Sequence, residues 1–317
     1  MVHQIKHHLS IGAAVLGAVL LLTGCAPSES TATKVATADL ATRVDQFQGA
    51  ASNSKVAVIV GKSTVGVIPL DGSSPMRVAL DGMVSLIDAA TCGDNSFVAL
   101  DFYKKVWTST DDGKNWSSKP TPAKWVPLAL TCGPGNSYWV VGSDSTVASS
   151  ADRGASWTVH HSGEDALYNS VQFTGEQSLV VTGEFGAVLR SADRGKTWAK
   201  SVIDDEFYPY AALFVSPQVG YVSSLTGTIM RTRNGGASWE KMKNDTGLSQ
   251  FTLVKVGAQV YSVGLGGSVL QLSGDRWLPV KVEGLQSAPY LRGATAIGND
   301  QFLAVGGNGA WKIISAK

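Results

Sequence analysis

The chain has 317 residues, 44% of them hydrophobic, 16% charged and 35 glycine, and Lys+Arg at 26 nearly equals Asp+Glu at 25. That balance excludes a nucleic-acid binder that neutralises phosphates with a basic face, and the low charge excludes an acidic tail or a coiled coil. High glycine with low charge fits a chain of many short strands and turns.

Taken in chain order, the first predicted element is a leader. Lys6, with His3, His7 and His8, makes a weakly basic start, and Leu9 to Leu22 is an uncharged apolar run too short for a comfortable transmembrane helix. The run ends in Leu22-Thr23-Gly24-Cys25, which resembles the lipobox of bacterial lipoproteins. The resemblance implies a signal peptide over 1–24 and acylation (palmitate) at Cys25. Ala26 after the cysteine points to the outer membrane, with the protein facing the periplasm. Residues 25–33 read as lipidated cysteine and flexible tether, and 34–317 as one folded domain. Only His160 and His161 survive loss of the leader, so a multi-histidine metal site is not expected, nor is any cofactor.

Four segments then align without gaps: Ser109 to Trp116, Ser150 to Trp157, Ser191 to Trp198 and Thr232 to Trp239, with tryptophans 41 residues apart. They have the form of the Asp-box (BNR) repeat. Asp111, Asp152, Asp193 and Asn234 are placed to accept backbone N–H bonds within a turn. Gly113, Gly154, Gly195 and Gly236 supply a positive φ, and Trp116, Trp157, Trp198 and Trp239 anchor the returning strand. A shortened copy, Ser273 to Trp277, follows. Small or turn residues after β-rich runs extend the count to seven units: Gly61, Asp101, Gly142, Gly183, Ser224, Gly264 and Gly306.

The fourth unit parses as strand a (Asn169–Phe173), strand b (Ser178–Thr182), strand c (Ala187–Arg190) and strand d from Trp198. Four short antiparallel strands per 41 residues is the period of a propeller blade. The expected fold is therefore all-β, a seven-bladed β-propeller of four-stranded blades. The last unit stops after its strand c, so residues around Lys34 to Arg43 are expected to supply its outer strand and close the ring.

Several motifs bear on chemistry. Gly61-Lys62-Ser63-Thr64 ends like a phosphate-binding loop, but position 56 is Val where a glycine is required and no helix follows. Glu164-Asp165 and Asp204-Asp205-Glu206 share one face as loop acids; they read as solvated loop charges, or as paired carboxylates for glycoside cleavage or Ca²⁺ binding. No Gly-x-Ser-x-Gly elbow is present. Sialidases carry Asp-boxes, but their arginine triad is not matched, leaving a glycan-binding or glycoside-hydrolysing propeller as the alternative reading. Aromatics precede strand a in five units: Trp125, Tyr168, Tyr210, Phe251 and Tyr290. These read either as packing between blades or as a rim for holding a protein segment, since Trp, Tyr and Arg dominate binding hot spots. Phe102, Tyr103, Lys104 and Phe185 in the b–c loops, and Arg292, extend that candidate partner-binding set. Cys92 and Cys132 occupy matching positions, and a disulfide between them stays open, because neighbouring inner strands could hold their Cα atoms beyond about 7 Å.

Repeats such as Gly183-Glu-Phe-Gly186-Ala-Val-Leu-Arg190-Ser191-Ala-Asp193-Arg-Gly195-Lys-Thr-Trp198 are similar to those of the photosystem II stability and assembly-factor propellers. The resemblance implies a non-catalytic propeller that binds an envelope or membrane protein subunit during assembly of a larger complex. No small-molecule substrate is implied. Arginine is sparser here than in the photosynthetic form, so the property carried over is that of a lipid-anchored binding scaffold.

Overall fold

A computed structural model describes residues 33–35, 40–122, 124–204 and 206–316. The predicted leader, Cys25 and most of the tether lie outside them. Among the described residues the regular structure is all-β apart from two short 3-10 turns. The strands run as seven consecutive antiparallel meanders, each ordered a-b-c-d, the last with three strands. Strand a spans Phe47–Ser52, Leu86–Thr91, Pro127–Gly133, Tyr168–Phe173, Pro209–Phe214, Gln250–Val256 and Leu291–Ile297 in turn. The seven markers from Gly61 to Gly306 each end a strand b.

Each strand a abuts the strand a of the next unit, and that of unit seven abuts that of unit one. The core is correspondingly divided. Seven apolar clusters lie one at each junction between neighbouring units, rather than inside a unit. A four-stranded meander this short has two apolar faces, and it buries both only when stacked between neighbours.

The Asp-box turn builds the junction. In unit four, Asp193 accepts the N–H of Thr197 (2.9 Å) and the hydroxyls of Thr197 (2.6 Å) and Ser191 (2.8 Å). Ser191 Oγ in turn accepts the N–H of Gly195 (2.7 Å). Asp111, Asp152 and Asn234 repeat this pattern. Gly195 sits at φ 75°, and a methyl group there would come within 2.7 Å of the Trp139 ring in the preceding unit. Glycine is thus required twice over, for conformation and for contact.

The joints differ in how they are tied. Cys92 and Cys132, on units two and three, form a disulfide with Cα atoms 5.1 Å apart, so the two strands a converge well inside the bonding limit. Strand d of unit five (Glu240–Asn244) pairs in parallel with strand d of unit six (Arg276–Pro279), fusing two meanders into one eight-stranded sheet. Arg231 there is buried and bridges Glu240 (2.6 Å) to Asp275 (2.5 Å). Asp275 of the shortened Asp-box therefore serves an ion pair between units.

The outer strand expected for unit seven is placed elsewhere. Thr33–Val35 pair with Met76–Ala79, strand d of unit one, and strand c of unit seven (Trp311–Ser315) has no outer partner among the described residues. The open edge of unit one offers unpaired N–H and C=O groups, while the following chain is held at the seam. Leu40 is buried there with Phe47, Ile59, Leu303 and Val305. Asp45 receives a two-pronged contact from Arg77 (2.7 and 2.8 Å), which holds its carboxyl below the usual range.

Hydrogen bonding within the Asp-box holds the Asp193 carboxyl down at about 2. A depressed folded-state value stabilises above the unfolded value and is lost as pH falls through the folded one. Asp193→Ala should therefore lower Tm at neutral pH, and the gap from wild type should narrow as pH falls from about 4 toward about 2; scanning calorimetry across that range checks it.

Candidate functional site

The two ends of the meanders are chemically unlike. All nine large apolar side chains exposed among the described residues lie at the end carrying the b–c and d–a connections. Phe102, Tyr103, Phe185, Leu225 and Leu265 are in b–c turns; Val44, Met83, Val202 and Leu248 lie on or beside the segments leading into strands a. Phe185 is 60% exposed and Met83 73%. The opposite end holds the Asp-box turns, laced by ion pairs such as Arg153–Asp94 and Lys55–Asp112. Exposed apolar patches on one face of a folded domain mark a surface that meets something.

At the same loop end, strands a open into a cavity of about 210 Å³, lined by residues from strand a of all seven units. Its geometry follows from a repeated defect. In every unit the a–b register slips by one after the first residue of strand a. The skipped residues are Gln48, Ile87, Leu128, Asn169, Tyr210, Phe251 and Arg292, and all of them line the cavity. A β-bulge re-aims a side chain, and seven bulges in phase make a ring at the channel mouth.

The five aromatics preceding strand a are therefore not equivalent, which corrects their reading as one rim. Tyr168 is the first residue of its strand, opposite Gly183, and is fully buried with its hydroxyl on Ser162 (2.9 Å). Trp125 precedes its strand and is buried against Gly142. Neither can touch a partner, because the small marker residue leaves room for the ring beneath it. Tyr290 lies at the seam, donating to Gln46 (2.6 Å) and accepting from Gln48 (3.1 Å). Only Tyr210 and Phe251 are bulge residues, edge to face at 5.4 Å, with the Arg292 guanidinium 5.5 Å from the Tyr210 ring centroid. Phe102, Tyr103 and Phe185 are exposed as expected, whereas Lys104 is half-buried and serves its turn at φ 63°. Of the loop acids, Glu164 pairs with Lys200 and Asp204 accepts the Glu206 N–H; Asp205 lies outside the described residues.

Asp88, which the sequence reading missed, is the residue after a bulge and lines the cavity. Its carboxylate accepts the N–H groups of Ala89 and Leu130, each at 2.8 Å. Burial pushes its pKa up to about 6, against those hydrogen bonds and the nearby charge of Arg292. The bulge ring itself was within reach, since Ile87, Leu128, Asn169, Tyr210, Phe251 and Arg292 follow one another at the 41-residue period.

A family model described as photosynthesis system II assembly factor YCF48 matches residues 114–246, the stretch that holds Trp116 to Trp239. Solved structures share the fold over most of the chain. YCF48 bound to D1 peptide is 13% identical with a TM-score of 0.67, covering 90% of this chain and 95% of that one. YCF48 from Cyanidioschyzon merolae is 15% identical at 0.66, covering 90% and 98%. A catalytically inactive virginiamycin B lyase from Staphylococcus aureus, with quinupristin, is 12% identical at 0.75, covering 92% and 100%. No curated protein matches the chain in sequence. The resemblance to the photosystem II assembly-factor propellers is thus shown, and the fold is a β-propeller.

A raised carboxyl pKa means stability is full below the unfolded value and is lost as pH rises through the folded one. Asp88→Asn should accordingly gain on wild type at pH above about 6, by up to about 3 kcal/mol, with the gain fading toward pH 4. Urea unfolding of both proteins across that range reads the effect.

Proposed function

We propose that this chain is a lipid-anchored, seven-bladed β-propeller that binds a membrane-protein subunit on its loop face and performs no catalysis. The observation that carries this reading is the confinement of exposed apolar side chains to that one face. The resemblance to a propeller family named for assembly, one member of which is bound to a peptide of D1, supports protein binding as the use of the fold.

The direction of the anchor supports the same face. Thr33 pairs with Ala79, the end of strand d that leads to a d–a connection. The chain before Thr33 therefore leaves at the loop end. Eight residues, Cys25 through Ala32, span at most about 28 Å. An acylated Cys25 would hold the apolar face toward the bilayer at that distance, within reach of a membrane protein's soluble loops. The Cys92–Cys132 disulfide suits the oxidising space outside the bacterial inner membrane.

Two outcomes follow. Replacing Phe102, Tyr103, Phe185 and Leu265 together by Ser should abolish crosslinking to a membrane protein that wild type captures. A control changed at Lys114, on the Asp-box end, should retain it. Loss from both, or from neither, removes the loop face as the docking surface. Separately, Cys25→Ser should abolish incorporation of labelled palmitate in a bacterial host and release the protein from the membrane fraction.

A further inference from the structure

The channel mouth holds two charges that do not pair. Asp88 is half-buried, accepts two backbone N–H groups and has no cation within ion-pair distance among the described residues. Arg292 is held over the Tyr210 ring by a cation–π contact and makes no hydrogen bond or ion pair to a described side chain. Both line the same cavity, and the field of Arg292 reaches Asp88. Arg292 is exposed and Asp88 half-buried, and neither has an ion-pair partner among the described residues.

A ligand of one sign cannot settle both. An anion on Arg292 would face the Asp88 carboxylate, and a cation on Asp88 would face the guanidinium. A molecule carrying both charges neutralises both at once. The space of about 210 Å³ lies below the range of about 300–1,000 Å³ typical of drug-sized sites and suits a free amino acid rather than a folded segment. Tyr210 and Phe251 provide an aromatic wall beside the charged pair.

We propose that the channel mouth is a binding site for a small zwitterion, an α-amino acid whose carboxylate meets Arg292, whose ammonium meets Asp88, and whose side chain lies along Tyr210 and Phe251. This site is separate from the apolar loop face and does not require that face to bind protein. Asp88 keeps acceptor capacity for the ammonium, because a carboxylate accepts up to about four hydrogen bonds and two are used. The guanidinium offers a planar fork matched to a carboxylate.

The test is titration calorimetry of the soluble chain, residues 26–317, with each of the twenty L-amino acids. At least one should bind saturably. Its decarboxylated amine and its deaminated acid should each bind about 10- to 100-fold more weakly, the range expected for losing one charge-assisted contact. Arg292→Gln and Asp88→Asn should each weaken the zwitterion by a similar factor, while the fourfold loop-face variant should bind it as wild type does. Absence of binding by all twenty overturns the proposal. So does an acid or amine analogue that binds as tightly as its zwitterion. The analogue series on the wild-type chain decides independently of either substitution.

Discussion

The joints between the first five units of this molecule rest on the contact between an Asp-box turn and the unit before it. The carboxylate and hydroxyl of the box fold the turn on itself, so that glycine, having no side chain, can be pressed onto the neighbour's strands. Gly113 meets Val58 and Val67, Gly154 meets Val106, and Gly195 meets Trp139. Burial at each junction, at about 25 cal/mol per Å² of apolar surface, holds units that could not stand alone. The same contact sets the angle at which successive strands a converge, and hence the channel that their bulges line.

A repeat that fixes the scaffold leaves its loops free. Junction residues are alike from unit to unit, since each performs the same packing. The bulge residues, from Gln48 to Arg292, differ in every unit, and of them only Ile87 packs against a junction core. The b–c turns likewise vary, from Phe102 and Tyr103 to Leu265. The variable chemistry collects at one end, where the backbone has already been paid for by the sheets. Bulges and turns are where a rigid fold places side chains that something else must meet.

Much of this was legible in the sequence, and the exceptions have physical causes. The 41-residue period located the units and strand ends to within a residue or two, because Trp198 and Gly183 mark fixed points of each meander. The five aromatics preceding strand a do not occupy equivalent positions, since a distance counted back from strand b cannot register a one-residue bulge. That slip decides whether a ring points into the core, as at Tyr168, or into the channel, as at Tyr210. Asp88 carried no signal of its own: an isolated acid is informative only once the fold removes its water. Length arithmetic shows that a strand is missing from the last unit, not which of two open edges Thr33–Val35 pairs with.

The joints around the ring are unequal, and this bears on how it opens. One carries a covalent link between Cys92 and Cys132; another shares a continuous sheet through Lys243 and Asn244. The seam between units seven and one is packed around Leu40, with hydrogen bonds such as Ser52 to Ala296 and Tyr290 to Gln46, whereas, among the described residues, the joint between units four and five buries only Val180, Val188 and Phe214 in its apolar cluster. Cooperative units of native proteins open in order of their own stability, so amide exchange should spread outward from the joint between units four and five while units two to three and five to six stay protected. A partner spanning Phe185 on one side of that joint and Leu225 on the other would then act as a clasp, contributing to folding as well as being bound.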